Sequence, residues 1–265
     1  MAGYETFAAL HARDALFVMP NAWDGASAAL LKAAGFAALG SSSAAIAWAL
    51  GRQDGRRAVS RAEAIANAAL LGDASGLPVN GDLEDGFGDA PEDCVACVEA
   101  AIAAGLAGLG IEDTTADPAR PIHDEDAAIA RVAAAARAAK GRIVLTGRTD
   151  LLLHGSDDLD AVVRRLTAFA DAGADVLYAP GLTTIAAVET VVRAVAPLPV
   201  NVLATPDLSL AALAAAGVRR VSLGATLYRT AMAGLLGAAE ALTRDDMAAA
   251  TRGVPGARIA QLLER

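Results

Sequence analysis

The sequence predicts an α/β protein in which eight parallel strands close into a (β/α)8 barrel of the TIM type. Short apolar runs alternate with alanine-rich helical runs about eight times along the 265 residues, and no linker interrupts the alternation. Each strand-to-helix unit is about thirty residues long, which suits right-handed crossovers between parallel strands. An open doubly wound sheet is the alternative, but it requires a glycine-rich phosphate loop after the first strand, and residues 20–24 form no such loop.

The predicted strands are short runs of apolar and β-branched residues bounded by turn signals. They cover residues 16–19, 37–40, 78–83, 109–112, 142–146, 175–178, 199–203 and 219–223. The helices between them carry ordinary boundary signals: Gly35 ends the first, Ser60 and Glu63 form a capping box, and Pro91 suits a first helical turn. A long segment that includes Asp54 separates strand two from Ser60, and we expect it to be functional because plain connections are shorter.

Beyond the eighth strand, residues 225–241 and the chain from Arg244 onward contain more helix than a barrel requires. We therefore predict one barrel domain over residues 1–265, with a helical extension over residues 225–265. The extension is expected to pack on a neighbouring copy of the chain in a homo-oligomer.

The composition argues against several classes of partner and site. The net charge of −9 and the pI near 4.8 argue against a nucleic-acid backbone. No apolar run reaches the roughly 18 residues that suggest a membrane span, and the first ten residues lack the features of a signal peptide, so we expect a cytoplasmic protein with no membrane partner. Cys94 and Cys97 have no second cysteine pair and no nearby histidine, so we interpret them as small helix residues rather than zinc ligands.

Three acids follow the predicted third strand, where Asp82, Glu84 and Asp85 precede two glycines. On an extended chain Asp82 and Glu84 leave the same face, whereas Asp85 points to the other side. Mg²⁺ prefers oxygen ligands and takes one or two carboxylates from a protein, so the pair suits a Mg²⁺ site. The alternative is that these acids are solvated turn residues.

Catalytic groups of (β/α)8 barrels lie at the carboxyl ends of the strands, so position alone selects candidates. The selected residues are Ser41, Ser42 and Ser43 after strand two, Asp82 and Glu84 after strand three, Glu112 and Asp113 after strand four, Arg148 and Asp150 after strand five, Tyr178 after strand six and Asn201 in strand seven. The planar fork of Arg148 matches a substrate carboxylate, and small serines let backbone N–H groups approach an anion. A plain polar turn is the alternative interpretation of the serines.

Two other kinds of site are disfavoured. Lys32 and Lys140 are the only lysines and neither lies at a strand end, which argues against a Schiff-base mechanism. His11, His123 and His154 have no ligand-like spacing, which argues against a histidine-rich zinc centre. His123 follows strand four and is a candidate proton donor.

At these residues the sequence resembles the isocitrate lyase/phosphoenolpyruvate mutase superfamily, and in particular its short-loop members similar to carboxyphosphonoenolpyruvate mutase. The likeness covers nearly the whole barrel, and the motifs occur in family order. The family's paired-acid strand, followed by Gly-Phe-Gly or Gly-Tyr-Gly, resembles residues 82–88, with Glu84 in place of the second aspartate. The other matching positions are Ser41, Ser42 and Ser43 in the substrate-carboxylate loop, Asp54 as the gating aspartate, Glu112 ending strand four, residues 147–150 in the Ala-Arg-Thr-Asp run and Asn201 in strand seven.

The resemblance implies an enzyme that uses Mg²⁺, or Mn²⁺ in its place, on small 2-oxo carboxylates or their phosphonate relatives. It also implies a dimer of dimers in which the last helices swap between paired barrels. Asp82 would contact the metal directly, while Glu84 and Glu112 would hold its waters. The metal would then act as a Lewis acid that stabilises an enolate.

The same resemblance implies the substrate contacts and the catalytic groups. Arg148 and the backbone amides of Ser42 and Ser43 would bind the substrate carboxylate. The predicted substrate contacts are Ser41, Ser42, Ser43, Arg148, Asn201 and Trp23. The predicted catalytic residues are Arg148, Asp54 and Glu112, together with His123 and, as a second candidate proton donor, Tyr178, both chosen from their positions and not from the resemblance.

The sequence departs from the family after strand four. Isocitrate and methylisocitrate lyases carry a Lys-Lys-Cys-Gly-His loop there and the mutases carry a lysine, whereas residues 113–123 contain neither lysine nor cysteine. The glutamate expected after strand six is also absent around Tyr178. These differences favour C–C bond cleavage or decarboxylation of a small 2-oxo acid. A phosphoenolpyruvate phosphonomutase, a phosphonopyruvate-type hydrolase and a non-catalytic 2-oxo acid binder are the alternatives.

Overall fold

The structure is a computed structural model that describes residues 3–55 and 57–264. Its strands are β1 Phe17–Met19, β2 Leu39–Gly40, β3 Val79–Asp82, β4 Gly108–Glu112, β5 Val144–Arg148, β6 Val176–Tyr178, β7 Val200–Leu203 and β8 Arg220–Ser222. They pair in parallel in the order β1-β8-β7-β6-β5-β4-β3-β2. Just beyond β1, hydrogen bonds from Ala22 N to Gly40 O (2.9 Å) and from Gly40 N to Pro20 O (3.0 Å) close the circle. The predicted (β/α)8 barrel is confirmed.

The helices surround the barrel and begin largely where the capping signals predict. They are α1 Tyr4–Ala12, α2 Gly25–Ala33, α3 Ser43–Ala49, α4 Arg61–Ser75, α5 Pro91–Ala103, α6 Glu125–Ala139, α7 Leu159–Asp171, α8 Ile185–Val195, α9 Leu210–Ala215, α10 Thr226–Thr243, α11 Met247–Ala250 and α12 Gly256–Leu263. The predicted capping box is present, because the Ser60 and Glu63 side chains each bond the other's backbone N–H at the start of α4.

Two strands differ from their predicted bounds in ways that matter for the site. β5 continues to Arg148 instead of ending at Thr146, because β4 pairs with it as far as Glu112 opposite Arg148. Arg148 is thus fixed by the sheet rather than carried on a loop. β2 is only two residues long, so the chain turns to the serines immediately after Gly40.

Two helices were not predicted. α1 lies across the amino end of the barrel, where Phe7 and Leu10 pack against Val144 and Val176 in a separate core cluster. α3 begins directly after β2, and the Ser42 side chain caps it by accepting a hydrogen bond from Ala45 N (3.3 Å). The serine run is therefore a helix start as well as a turn.

Side chains alternate along the strands between the surrounding helices and the barrel interior. Outward positions such as Leu145 are fully buried in the core between sheet and helices. The inward positions of β5 change from apolar Val144 to Thr146 and then Arg148 toward the carboxyl end. The interior is thus apolar near α1 and polar near the carboxyl ends of the strands.

The C-terminal helices contrast with the barrel because little of their surface is covered. Among the 18 residues of α10 only Ala241 is buried, while Leu235 and Leu236 are more than 60% exposed. α12 contacts α2 of the same chain. No helix in the described part of the chain is long and apolar enough to cross a membrane. The swap of these helices between subunits stays a prediction.

Candidate active site

A cavity opens at the carboxyl ends of the strands as two adjoining chambers that share Glu84 and Arg148 in their walls. The inner chamber extends down the barrel to Asn201 and Arg220, and the outer chamber lies against residues 114–121. The inner chamber has a volume of about 170 Å³. Sites for drug-sized ligands have roughly 300–1,000 Å³, so this chamber suits a small molecule.

Arg148 is at the centre of the charged groups in the inner chamber. Its Nη1 lies 2.8 Å from Glu112 Oε2 and 3.6 Å from Asp82 Oδ1, and its Nε and Nη2 bond both oxygens of Asp150 at 2.6 and 2.7 Å. Its guanidinium also lies 5.4 Å from the centre of the Tyr178 ring. Although burial opposes it, the pKa of Arg148 is raised by Asp150 and Glu112. The residues Asp82, Glu84, Glu112, Arg148 and Asp150 are called the rim below.

The serines after β2 fix the position of Asp82, the last residue of β3. Ser43 donates its backbone N–H (2.9 Å) and its hydroxyl (3.0 Å) to Asp82 Oδ2, and Ser41 Oγ accepts the Asp82 backbone N–H at 2.8 Å. The Ser43 amide, predicted to bind a substrate carboxylate, is thus bonded to Asp82 in this arrangement. Ser41, Ser42 and Ser43 all line the inner chamber, as predicted for substrate contacts.

Glu84 reaches the inner chamber by a turn and not by an extended chain. Its φ of 48° is left-handed, and its Oε2 accepts the backbone N–H of Arg57 at 3.2 Å. The extended-chain argument is therefore wrong for Glu84, although Asp82 and Glu84 do line one chamber. Asp85 does not line the inner chamber and pairs with Arg57 Nη2 at 2.6 Å.

Burial and neighbouring acids raise the pKa values of the carboxyl groups around this chamber. The pKa of Glu84 rises to about 7, first because of burial and then because of Asp82. The pKa of Glu112 is raised well above its usual value by burial, against the effect of Arg148, and the pKa of Asp54 is raised by burial and by Asp82. Asp54 lines both chambers. A cation bound among these groups would favour their charged forms.

The predicted metal ligands Asp82, Glu84 and Glu112 offer only oxygen atoms, which is the ligand type that Mg²⁺ prefers. Within residues 3–55 and 57–264, no three His, Cys, Asp or Glu side chains are arranged as a complete ligand set. Mg²⁺ commonly takes one or two carboxylates directly and retains several waters. The acids therefore fit this ion in chemical type, and their assignment as ligands stays a prediction.

The other predicted site residues divide into two groups. Asn201 lines the inner chamber, where its Nδ2 donates to Ser222 Oγ (2.9 Å). Trp23 lines neither chamber, and its ring contacts Tyr228 with 5.3 Å between centres. His123 also lines neither chamber, and its backbone N–H donates to Asp113 O at 2.8 Å. The structure does not bring Trp23 and His123 to the cavity.

A buried support for Arg148 was not predicted from the sequence. Asp113 accepts hydrogen bonds from Thr149 Oγ1 (2.6 Å), from the Asp150 backbone N–H (2.8 Å) and from Arg165 Nη1 (2.8 Å). Asp150 in turn holds Arg148. The sequence signal was the Arg-Thr-Asp run, but it does not reveal the distant partner on α7.

A second missed group lies at the inner end of the chamber. Arg220, the first residue of β8, is 1% exposed and lines the inner chamber together with Ser222, two residues on. Its Nε donates to Asn201 Oδ1 (2.9 Å) and its Nη2 to Thr146 Oγ1 (3.0 Å). We call Thr146, Asn201, Arg220 and Ser222 the floor.

Comparison with known proteins identifies the family. A family model described as phosphoenolpyruvate phosphomutase matches residues 7–243. An uncharacterized protein of Mycobacterium tuberculosis (strain ATCC 25618 / H37Rv) is 35% identical over 237 residues, which cover 89% of this chain and 87% of the relative. A candidate lyase or mutase from Burkholderia cenocepacia J2315 superposes with a TM-score of 0.94 at 43% identity, over 99% of this chain and 95% of the other.

A third similar protein is 2,3-dimethylmalate lyase, a member of the PEP mutase/isocitrate lyase superfamily. Its structure superposes with a TM-score of 0.87 at 27% identity, over 99% of this chain and 94% of the other. The family match covers the whole barrel, including the rim and the floor. This chain therefore belongs to the phosphoenolpyruvate phosphomutase family, within a superfamily of lyases and mutases that act on small carboxylates.

Proposed function

We propose that this protein is a Mg²⁺-dependent lyase that cleaves a C–C bond of a small 2-oxo carboxylate, or removes CO₂ from it, through an enolate. The observation that carries the proposal is the position of Arg148, which bonds Glu112 and approaches Asp82 within one small chamber. A guanidinium suits the carboxylate of a 2-oxo acid, and clustered carboxylates suit a divalent cation. One chamber therefore offers both kinds of group to one small substrate.

Asp82, Glu84 and Glu112 are the residues that would hold Mg²⁺, or Mn²⁺ in its place. When bound, the ion supplies Lewis acidity at the substrate oxygens and so stabilises an enolate. The pKa values of Glu84 and Glu112 are raised mainly by burial and further by neighbouring acids, and a cation bound beside them would favour their charged forms.

Arg148 would bind and orient the carboxylate of the substrate, because Asp150 holds the Nε–Nη2 edge of its guanidinium in one position with two hydrogen bonds. Tyr178 is the better placed of the two candidate proton donors, since it lines the inner chamber and His123 does not. Burial raises the pKa of Tyr178 to about 12, so its hydroxyl keeps its proton at neutral pH.

The loop after β4 supports a reaction that needs little from that loop. Residues 114 and 122 form an antiparallel bridge, and Thr114 Oγ1 donates to Glu112 Oε1 at 2.8 Å. The loop therefore positions a rim acid but carries no lysine or cysteine. Cleavage or decarboxylation of a 2-oxo acid requires Lewis acidity at the keto oxygen, which a cation held by the rim acids would supply, and an oriented carboxylate, which Arg148 would hold.

The direct test is to incubate the protein with oxaloacetate and related 2-oxo acids, with Mg²⁺ present or chelated by EDTA, and to measure pyruvate. We expect turnover that chelation abolishes and added Mg²⁺ restores. The Arg148→Met variant at the same Mg²⁺ concentration is the control for decarboxylation by the free ion. Protein-dependent turnover that is indifferent to chelation would contradict the proposal.

The family match favours a phosphonomutase or phosphonopyruvate hydrolase as the second candidate. Phosphorus NMR of mixtures containing phosphoenolpyruvate or phosphonopyruvate distinguishes it, because a P–C bond forms or breaks only in those reactions. Tight binding of 2-oxo acids without turnover of any of them would instead indicate a binding protein.

We also propose that α10 to α12 pack against a second copy of this chain. An isolated helix with one buried residue in 18 has too little apolar contact to be stable in water by itself. The exposed Leu235 and Leu236 would be covered by the partner. Light scattering coupled to gel filtration should show an oligomer that Leu235→Glu combined with Leu236→Glu dissociates, and a monomeric wild-type protein would contradict this.

A further inference from the structure

The floor of the inner chamber contains a buried guanidinium that the proposed reaction does not use. Arg220 and Ser222 both point into the barrel from β8. The Arg220 side chain crosses the barrel interior to Thr146 on β5. Only 1% of Arg220 is exposed, and yet it belongs to the wall of the chamber. Its charge therefore faces the same small space as the rim.

Each partner of Arg220 is electrically neutral. Nε donates to Asn201 Oδ1 (2.9 Å), Nη2 to Thr146 Oγ1 (3.0 Å) and Nη1 to His11 Nε2 (3.2 Å). An arginine can only donate, so His11 accepts through Nε2 and donates its Nδ1–H to Phe7 O (2.9 Å). Burial, and then Arg220, lowers the pKa of His11 to about 3, so His11 is uncharged at neutral pH.

Two other buried arginines near the cavity have partners of opposite charge, whereas Arg131, which lines neither chamber, bonds only backbone carbonyls among the described residues. Arg148 lies against three carboxylates, and Arg165 pairs with Asp113 at 2.8 Å. In the described part of the chain no aspartate or glutamate lies within salt-bridge distance of Arg220. An arginine buried without a counter-charge costs stability, so its retention at a cavity wall points to a ligand.

The two guanidinium groups are arranged at two depths of the barrel. Thr146, which bonds Arg220, precedes Arg148 by two residues on the inner face of β5. Two strand residues correspond to a rise of roughly 6.6 Å. A small molecule with an anionic group at each end could span that distance, with one end at Arg148 and the other at Arg220.

We propose that Arg220 is a specificity-determining residue that binds a second, distal anionic group of the substrate at the floor. This assignment rests on the proposed function, in which the carboxylate next to the keto group binds at the rim. It selects dianionic 2-oxo acids over monoanionic ones such as pyruvate. The bound anion supplies the counter-charge that the protein itself does not give to Arg220.

The test compares two ligands that differ in the distal carboxylate and that lack the keto group on which the proposed reaction acts. Malate and lactate are the 2-hydroxy analogues of oxaloacetate and pyruvate, and their affinities are measured by titration calorimetry in Mg²⁺ buffer. We expect the wild-type protein to bind malate at least tenfold more tightly than lactate. Arg220→Met should reduce that preference to about twofold or less while lactate affinity stays within about twofold of wild type.

A matched control is available at the adjacent residue. Arg219 is partly exposed and its Nη2 pairs with Asp14 Oδ1 at 2.5 Å on the outer surface. Arg219→Met removes the same charge one residue away and should leave the malate preference unchanged. Because Arg220→Met alters the barrel interior, malate 4-amide is a second probe that needs no variant. This amide has nearly the size of malate and lacks its distal charge, so it should bind the wild-type protein at least tenfold more weakly than malate does.

The possible outcomes separate the two proposals. Equal affinity of the wild-type protein for malate and lactate, or for malate and its 4-amide, overturns the role of Arg220 and leaves the proposed function intact. An Arg220-dependent preference in a protein that turns over no 2-oxo acid supports Arg220 and defeats the lyase proposal. A wild-type protein that binds neither ligand and turns over no 2-oxo acid overturns both.

Discussion

The rim and the floor of the inner chamber have opposite imbalances of charged side chains. At the rim Arg148 is bonded or close to Asp82, Glu112 and Asp150, and Glu84 adds a fourth acid, so acidic side chains outnumber basic ones. At the floor Arg220 has only neutral hydrogen-bond acceptors. Unbalanced charge in a buried site is compensated by what binds there, so the rim suits a cation and the floor an anion.

The largest effect is expected from removing the positive charge of the rim. Arg148→Met keeps much of the length of the side chain but removes the guanidinium that would bind the substrate carboxylate. We expect kcat/KM for the best 2-oxo acid to fall by about 1,000-fold or more, on the order of 4 kcal/mol of transition-state stabilisation. Steady-state kinetics at saturating Mg²⁺ measure the change.

Arg142 provides the control for this substitution. It is exposed and pairs with Glu99 at 2.6 Å outside the cavity, so Arg142→Met should change kcat/KM by no more than about twofold. If Arg148→Met keeps more than a tenth of wild-type kcat/KM, the guanidinium does not bind the reacting substrate and the contrast between rim and floor loses its functional meaning.

The rim was largely predictable from the sequence, whereas the floor was not. Strand-helix alternation predicts the barrel, and the barrel places strand ends together, which brings Asp82, Glu112 and Arg148 to one chamber without knowledge of any contact. The sequence also contains Arg219 and Arg220 side by side where β8, a strand of only three residues, begins. Alternation requires one to point inward, but so short a strand does not reveal which one.

Local features that depend on distant partners could not be predicted from the sequence either. Glu84 has a left-handed backbone between two neighbours that distant contacts hold, Leu83 in the core and Asp85 by Arg57. Ser43 is bonded to Asp82, 39 residues away, which no periodicity indicates. Propensity and pattern describe a segment by itself, and these residues are placed by tertiary contacts.

The contrast between the rim and the floor can be tested through His11, because a histidine held uncharged beside Arg220 makes the free energy of unfolding depend on pH. Its folded-state pKa of about 3 lies below the ordinary value near 6.5, so the unfolded chain binds more protons between these values. The stabilisation that the uncharged His11 gives the folded protein is complete above pH 6.5 and is lost as the pH falls toward 3. On going from pH 7 to pH 5, protonation of His11 in the unfolded chain should lower the free energy of unfolding by about 2 kcal/mol.

Urea unfolding at both pH values compares the wild-type protein with His11→Gln. Glutamine is able to accept from Arg220 and donate to Phe7 O, but it does not titrate. The variant should therefore lose about 2 kcal/mol less than the wild type on going from pH 7 to pH 5. Identical losses would show that His11 is not held uncharged beside Arg220, and the account of a neutral floor would fail.

The smallest expected effect comes from replacing threonine by valine, separately, at two positions near the end of β5. Thr149→Val removes a donor to Asp113, which keeps its bonds to Arg165 and to the Asp150 backbone. Thr146→Val removes an acceptor from Arg220, so a charged donor loses a partner. Each variant should lose about 1 kcal/mol of unfolding free energy in urea, because each breaks one buried hydrogen bond.

Malate distinguishes the two threonine variants although their losses are similar. If an anion binds at Arg220, malate gives the guanidinium a new acceptor, so saturating malate should stabilise Thr146→Val more than it stabilises the wild type. No such extra gain is expected for Thr149→Val, because Asp113 and Arg165 already satisfy each other at 2.8 Å. Equal stabilisation of both variants by malate would mean that the ligand does not reach the floor, since only a ligand in contact with Arg220 replaces the bond that Thr146 made.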